Sequence, residues 1–356
     1  MFSVRTGHPF HMHDAIYAQP GALRLAGRGN ETAIADTAAR LRGLERVLLS
    51  GIGTSWHAAL VGELLLARAG RLGYRARAFQ SFELVAYWPP ADARTGVIVV
   101  SHRGSPRYSR EALEQAKRSG GVGIAVTGKG SEGLGLADFT LRTVGQEPSH
   151  AHTVSYTAAL ALLARLAAEV GGDAAFRHAL DGLPDHQALL LGQESWEDLA
   201  RRFAGRRRYY FVGGGPNTAT ALEGALKMSE ANYAAAFGFN CEQFLHGAWA
   251  AMTAEDLLVL VAPGGPSRAR CLDAARAARE VGTPVLAVVE EGDSELAALA
   301  VETIEIPAVP ELLSPILAVV PLQLLTYHLA VQAGTNPDTM RADEPAYARA
   351  REAFSL

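Results

Sequence analysis

The sequence predicts an α/β protein made of two similar halves, each a parallel sheet covered by helices on both faces. Two observations carry this. The first is an internal repeat: RVLLSGIGTSWHAALVGELLL begins at Arg46, and RYYFVGGGPNTATALEGALKM begins at Arg208, 162 positions later. At that offset Gly51 meets Gly213, Gly53 meets Gly215, Leu60 meets Leu222, Gly62 meets Gly224 and Leu64 meets Leu226. A repeat of this length is a duplicated domain, not a solenoid unit. The second is the pattern inside each half, where short apolar, β-branched runs alternate with amphipathic helical stretches. Near-continuous apolar strands belong to parallel sheets buried on both faces.

Taken in chain order, strands are predicted near 46–51, 97–101 and 122–127, then near 208–213, 257–262 and 284–290. The run GVIVVSHRGS from Gly96 faces LLVLVAPGGP from Leu257, and GIAVTGKG from Gly123 faces PVLAVVEEG from Pro284, both at an offset of 161. Helices are predicted near 55–70, 106–119, 154–170, 217–236, 266–281 and 314–333. The segment 173–207 reads as a helical connection. The chain therefore divides into an arm (1–35), a first domain (36–190), a second domain (191–335) and a tail (336–356).

Composition narrows the classes of function. Hydrophobic residues are 49% of the 356 and charged residues 20%, ample for packed cores and unlike a disordered chain. Thirty-seven acidic residues against thirty-three basic ones leave a formal charge of −4, so no nucleic-acid partner is expected. Two cysteines, Cys241 and Cys271, suit a reducing compartment. The opening MFSVRTGHPF has no apolar run long enough for a signal peptide. The most apolar later run, 314–333, contains two prolines with Gln323, Tyr327, His328 and Gln332, so no membrane span is expected. The expectation is a soluble cytoplasmic protein.

Ligands of such sheets sit beyond the carboxyl ends of the strands, on helix N-termini. The stretch from Gly51 to Trp56 lacks the third glycine or alanine of a dinucleotide fingerprint, which disfavours a Rossmann site. Its Thr54 and Ser55 offer hydroxyls that can cap the helix, contact a ligand, or both. Ser101 to Pro106 reads Ser-His-Arg-Gly-Ser-Pro, with proline expected at the first helical position. There Ser101, Ser105 and the backbone N–H groups would cradle an anion, with Arg103 adding a guanidinium suited to phosphate. Lys227 and Glu230, three apart, share a helix face, and Glu223 is one turn earlier; such a set is ordinarily a solvated ion-pair face. His246 stands among apolar neighbours, where a lone histidine is ordinarily structural. His8, His11 and His13 with Asp14 do not share one helix face, so neither a metal nor any other cofactor is expected.

Assembled, these stretches resemble the sugar isomerase (SIS) family, in particular the tandem-SIS isomerase half of glucosamine-6-phosphate synthase and its stand-alone relatives. Those relatives include amino-sugar-phosphate deaminases, ketose/aldose isomerases and deglycases. The stretch from Met12 to Pro20 resembles the family's opening M-x-x-E-I-x-x-Q-P, and Gly53-Thr54-Ser55 resembles its G-T-S. Ala221 to Glu230 resembles A-L-E-G-A-L-K-x-x-E, His246-Gly247 stands for H-G-P, and Pro321 to His328 matches P-L-Q-L-x-x-Y-x.

The resemblance implies two doubly wound α/β subdomains with five-stranded parallel sheets, paired as a homodimer that shares its site between subunits. It implies a sugar phosphate as the ligand, facing Thr54, Ser55, Ser101 and, at the family's loop, Ser105. It implies Glu230 as the carboxylate moving a proton between C1 and C2, His246 as the histidine opening the sugar ring, and Lys227 near the C1–C2 end. A carboxylate base suits an acidic carbon beside a carbonyl, and an imidazole suits proton shuttling near neutral pH. The implied activity is aldose–ketose isomerisation or amino-sugar-phosphate deamination on a hexose or hexosamine 6-phosphate. The alternative is a SIS protein that binds a sugar phosphate without turnover.

Several positions depart from the family's pattern. In its phosphate loop S-x-S-G-x-T, Arg103 replaces the second serine and Pro106 the threonine. Its S-T-K becomes His152-Thr153-Val154, and no lysine follows Lys227, although the synthase has one near the position of Pro345. His152 and Thr153 keep the place of substrate-facing residues. The synthase's glutaminase domain has no counterpart in this sequence, so glutamine-dependent synthesis is not expected.

Overall fold

The structure, a computed structural model, describes residues 3–193 and 195–354. The chain forms two compact units. One consists of residues 18–147, 152–184 and 344–356; the other of residues 1–17, 148–151 and 185–343.

The first unit holds strands β1 (Arg46–Gly51), β2 (Ala76–Gln80), β3 (Thr95–Ser101), β4 (Val122–Thr127) and β5 (Phe139–Arg142) in one parallel sheet of order β2-β1-β3-β4-β5. The second holds β6 (Tyr209–Gly213), β7 (Ala236–Asn240), β8 (Leu257–Ala262), β9 (Val285–Glu290) and β10 (Glu302–Ile306) in a parallel sheet of order β10-β9-β8-β6-β7. Read from its second strand, that is the same 2-1-3-4-5 order. The two predicted parallel α/β sheets are therefore present, each with five strands.

The repeat has a steric cause. A Cβ on Gly51 would lie 2.2 Å from the Ser55 carbonyl oxygen, and one on Gly213 2.3 Å from the Asn217 carbonyl oxygen. Farther along the following helices, a Cβ on Gly62 would lie 2.6 Å from Leu49 Cδ2, and one on Gly224 2.7 Å from Phe211 Cδ1. Ser55 and Asn217, like Leu49 and Phe211, are themselves 162 apart. In each unit the strand turns so tightly into its helix, and the helix packs so closely on the strand, that no side chain fits.

The central strands β1, β3, β4, β6, β8 and β9 fall where the apolar runs predicted them. Edge strands β2, β5, β7 and β10 were not predicted. They are short and mostly half-buried, so charged residues such as Arg77, Arg142 and Glu302 interrupt any apolar run. The helix predicted over 217–236 stops at Ala231 and the chain forms β7 instead. Tyr233, at φ +57°, makes the break; its hydroxyl donates to the Asn336 carbonyl at 3.0 Å and accepts from the Arg341 N–H at 3.1 Å. The connection 173–207 forms helices Ala174–Leu191 and Trp196–Phe203, with Glu194 outside the described residues. The arm and tail carry short helices, among them His11–Tyr17, Gln19–Ala26 and Pro345–Glu352.

Two helices are long and apolar enough to cross a membrane, Val154–Gly171 and the stretch Glu311–Gln332. They are 83% and 89% buried inside the protein, each as a core helix, which explains why they are hydrophobic all round.

Candidate active site

In a sheet of order 2-1-3-4-5, ligands bind where the connections part, beyond the carboxyl ends of the first and third strands. In the first unit that places Gly51–Ser55 after β1 and Ser101–Pro106 after β3. Gly53, at φ +56°, is the N-cap of helix Thr54–Arg68, so Thr54 and Ser55 are its first two residues and not its cap. After β3, the Ser101 hydroxyl accepts the Gly104 N–H at 3.2 Å, and the Ser131 hydroxyl donates to the Arg103 carbonyl at 2.8 Å. Pro106 is the N-cap of helix Arg107–Arg118, one position earlier than predicted. Arg103 and Ser105 are exposed on this loop.

A small cavity opens beside it. Its polar lining is Thr54, Ser55, His102, Thr143, His152, Ser155 and Tyr156, over Ala58, Val100, Val126 and Ala159. Of the expected ligand contacts, Thr54, Ser55 and His152 line this cavity; Ser101, Arg103, Ser105 and Thr153 do not. Thr153 serves a neighbour instead. The buried Glu147 carboxylate accepts the N–H groups of Thr153 (2.8 Å), Val154 (3.2 Å) and Ser155 (3.0 Å), together with the Thr153 hydroxyl (3.2 Å) and the Ser155 hydroxyl. It thereby caps helix Val154–Gly171 with a full negative charge. Burial opposes that charge, but His152, the Ser155 hydroxyl, the Thr153 N–H and His102 outweigh it and hold the carboxyl below its ordinary range.

His102 had no role in the sequence analysis. Its Nε2 accepts the backbone N–H of Glu147 at 3.2 Å, which leaves the ring proton of the neutral form on Nδ1. Its ring lies edge-on to that of His152, centroids 5.2 Å apart. Burial depresses His102 below the usual histidine range and Arg103 adds to this, against the pull of Glu147. Glu147 likewise had no role in the sequence analysis. A glutamate seven residues before a helix start, with hydroxyl residues at that start, was the signal available for it.

The second unit carries the other cluster. On helix Asn217–Ala231, Lys227 is 1% exposed, with Nζ 3.4 Å from Glu223 Oε1 and hydrogen-bonded to Glu230. The expected solvated face is wrong here: the Glu223 side chain is fully buried and that of Glu230 only 12% exposed. Burial would strip the ammonium of its proton, but Glu223 and Glu230 reverse this and raise the Lys227 pKa above its ordinary value. His246 also differs from expectation. It follows the five-residue helix Cys241–Leu245, its side chain is 71% exposed, and its Nε2 lies 2.9 Å from Glu242 Oε1. Its apolar sequence neighbour Phe244 turns into the core, and the histidine does not.

The second unit has its own hollow at the carboxyl end of β9, lined by Gly264, Arg268, Glu290, Glu291, Asp293 and Glu295 among others. Arg268 is held there by Asp293, both side-chain bonds 2.6 Å. Of the N-terminal histidines, His8 Nδ1 lies 2.8 Å from the Tyr327 hydroxyl, His11 Nε2 2.7 Å from the Ser3 carbonyl, and His13 beside Asp14. Among the described residues no group of three or more His, Cys, Asp or Glu side chains is disposed to hold a metal.

The chain is thus a duplicated doubly wound α/β protein, with hydroxyls and imidazoles at its first crossing point and a buried Lys–Glu cluster on the matching helix of its second half. The SIS domain model matches residues 40–169 and 202–333. The chain belongs to the SIS domain family. It is 32% identical over 349 residues to the isomerizing glutamine–fructose-6-phosphate aminotransferase of Thermococcus kodakarensis, covering 95% of this chain and 58% of that one. The chain thus spans little more than half of that relative's length. Among solved structures, it is similar to the C-terminal domain of glucosamine-fructose-6-phosphate aminotransferase from Francisella tularensis (TM-score 0.83, 21% identity, covering 94% of this chain and 99% of that one). It is also similar to tagatose-6-phosphate ketose/aldose isomerase from Escherichia coli (TM-score 0.81, 22% identity, covering 95% and 97%). At these identities the likeness is one of fold.

Proposed function

We propose that the protein is a sugar-phosphate enzyme that interconverts an aldose and a ketose, or removes the amino group of an amino sugar, on a hexose or hexosamine 6-phosphate. The observation that carries this reading is the Lys227 cluster. An ion pair kept for stability alone is usually exposed, because burying it costs about as much as it returns. Here a fully buried ammonium holds a carboxylate, Glu230, that retains some exposure. In this reading Glu230 takes the proton from the carbon beside the sugar's carbonyl, leaving an enediolate, and returns it to the neighbouring carbon while the hydroxyl proton passes from O2 to O1. Lys227 holds Glu230 through their ion pair, and His246 shuttles the proton that opens the ring. On an amino sugar the nitrogen stays on C2: the same transfer turns that carbon from amine to imine, and water hydrolyses the imine to the ketone with release of ammonia.

A binding protein without turnover is the second reading, favoured by Arg103, Pro106 and His152 in place of the family's residues and by the lack of any lysine after Lys227. The deciding test is proton exchange at C2 of hexose and hexosamine 6-phosphates in heavy water, read by NMR. A ligand for this assay is found first by thermal shift, since at a hundred times its dissociation constant it stabilises by about 2.7 kcal/mol. Exchange establishes the enzyme; a ligand that binds without exchanging establishes the binder.

Two further expectations accompany the proposal. Arg103 supplies charge to the phosphate at the loop 101–105, so Arg103→Ala weakens sugar-phosphate binding by roughly 1.5–3 kcal/mol in calorimetry. Binding equal to wild type would make Arg103 a mere surface residue. The protein acts as a cytoplasmic homodimer with a site shared between subunits, to which the exposed His246 contributes. Light scattering at micromolar concentration should return a dimer, and a monomer there would remove the basis for sharing the site.

A further inference from the structure

The first unit's cavity has a feature that phosphate binding does not explain. His102 is 8% exposed, its Nε2 is committed to the Glu147 N–H, and its buried Nδ1 has no hydrogen-bonding partner in the protein. A buried N–H left without an acceptor is destabilising. This one belongs to a residue that lines the cavity. The lining also limits what the acceptor can be. Among the described residues it contains hydroxyls and two imidazoles but neither lysine nor arginine, and the ionised Glu147 lies directly behind Ser155. A phosphate dianion placed there would lose much hydration, meet no lysine or arginine of the lining, and face a buried carboxylate. An uncharged oxygen meets none of these costs.

We propose that His102 is a specificity residue, whose Nδ1–H donates to an uncharged hydroxyl or carbonyl oxygen of the sugar, so that this cavity, with a volume of about 10 Å³, takes a single oxygen of the sugar body and not its phosphate. The inference rests on the sugar-phosphate reading above and assigns the phosphate to the exposed loop that carries Arg103. The tautomer fixed by Glu147 makes His102 a donor only, and selects sugars that present an oxygen at this point over deoxy sugars.

The test is calorimetric titration of fructose 6-phosphate, glucosamine 6-phosphate and inorganic phosphate into the full chain and its variants. His102→Leu removes the donor, and His102→Asn places an amide N–H near the position of Nδ1. The leucine variant is expected to lose roughly tenfold or more in affinity for the sugar phosphate that wild type binds, while inorganic phosphate binds unchanged. The asparagine variant recovers part of the loss. Arg103→Ala gives the converse, with inorganic phosphate weakened as well. If His102→Leu weakens sugar phosphate and inorganic phosphate alike, or neither, the inference is overturned while the function stands. If wild type binds neither sugar phosphate, the functional reading falls and takes this one with it. An independent check needs no variant. In wild type the ¹⁵N resonance of His102 Nδ1 should move on adding the sugar phosphate and stay in place on adding inorganic phosphate, and the reverse pattern overturns the assignment.

Discussion

Glu230→Gln is expected to lower turnover by about 10²–10⁴-fold, the usual contribution of a positioned acid or base. Glutamine keeps the shape and can still accept a hydrogen bond from Lys227, but its amide cannot take a proton from carbon. The loss should fall on turnover and much less on binding, because the interaction removed belongs to the transition state. The measurement is the rate of C2 deuterium exchange in heavy water, beside the dissociation constant of the same ligand. Exchange that continues undiminished in the variant would keep the enzyme and discard Glu230 as its base. A purely structural Glu230 would show a small change in stability with exchange intact.

Lys227→Met is expected to be the most destabilising single change in this cluster, by about 3–5 kcal/mol, because removing one partner leaves buried charge uncompensated. Glu223, fully buried, would then face Glu230 with no ammonium nearby. The double variant Lys227→Met with Glu223→Gln should recover much of the loss, since the stranded charge is gone. Urea unfolding midpoints measure both. The pH dependence has a definite sign. In wild type the raised Lys227 pKa contributes stability that is fully present below the ordinary lysine value and fades only as pH rises through the higher, folded one. The single variant instead holds a carboxyl that prefers its proton when folded, so its deficit should shrink as the pH is lowered towards 5. A deficit under 1 kcal/mol, flat with pH, would mean that the cluster relaxes onto water.

What could be read in advance follows from where the sequence signal comes from. The six central strands were legible because they are buried on both faces and so are continuously apolar. The glycines of the repeat were legible because Gly51 and Gly213 answer the same steric demand, a carbonyl oxygen just over 2 Å from any Cβ. The edge strands were not, since Arg77 in β2 and Glu305 in β10 point to solvent and break the run. The site divides in the same way. Thr54 and Ser55 were legible from the turn they follow, whereas the burial of Lys227 depends on packing that no local pattern records. His102 and Glu147 are 45 residues apart in sequence, and only the fold makes one the hydrogen-bond partner of the other.

The two crossing points of this protein have become unequal heirs of one ancestor. A tandem duplication delivers two copies of the same ligand-binding geometry, and each copy begins under the same selection. In the second half the position matching Ser55 is Asn217, whose amide is spent on Ser314 at 2.8 Å and whose oxygen accepts from Thr220 at 3.0 Å. Its hollow is lined by Glu290, Glu291, Asp293 and Glu295 against the single Arg268, a surface that repels phosphate. On the proposed function, the first half then holds the anion and the second supplies the Lys227 cluster. If that proposal holds, later change is channelled: substitutions in one half alter which molecule is held, and substitutions in the other alter what becomes of it.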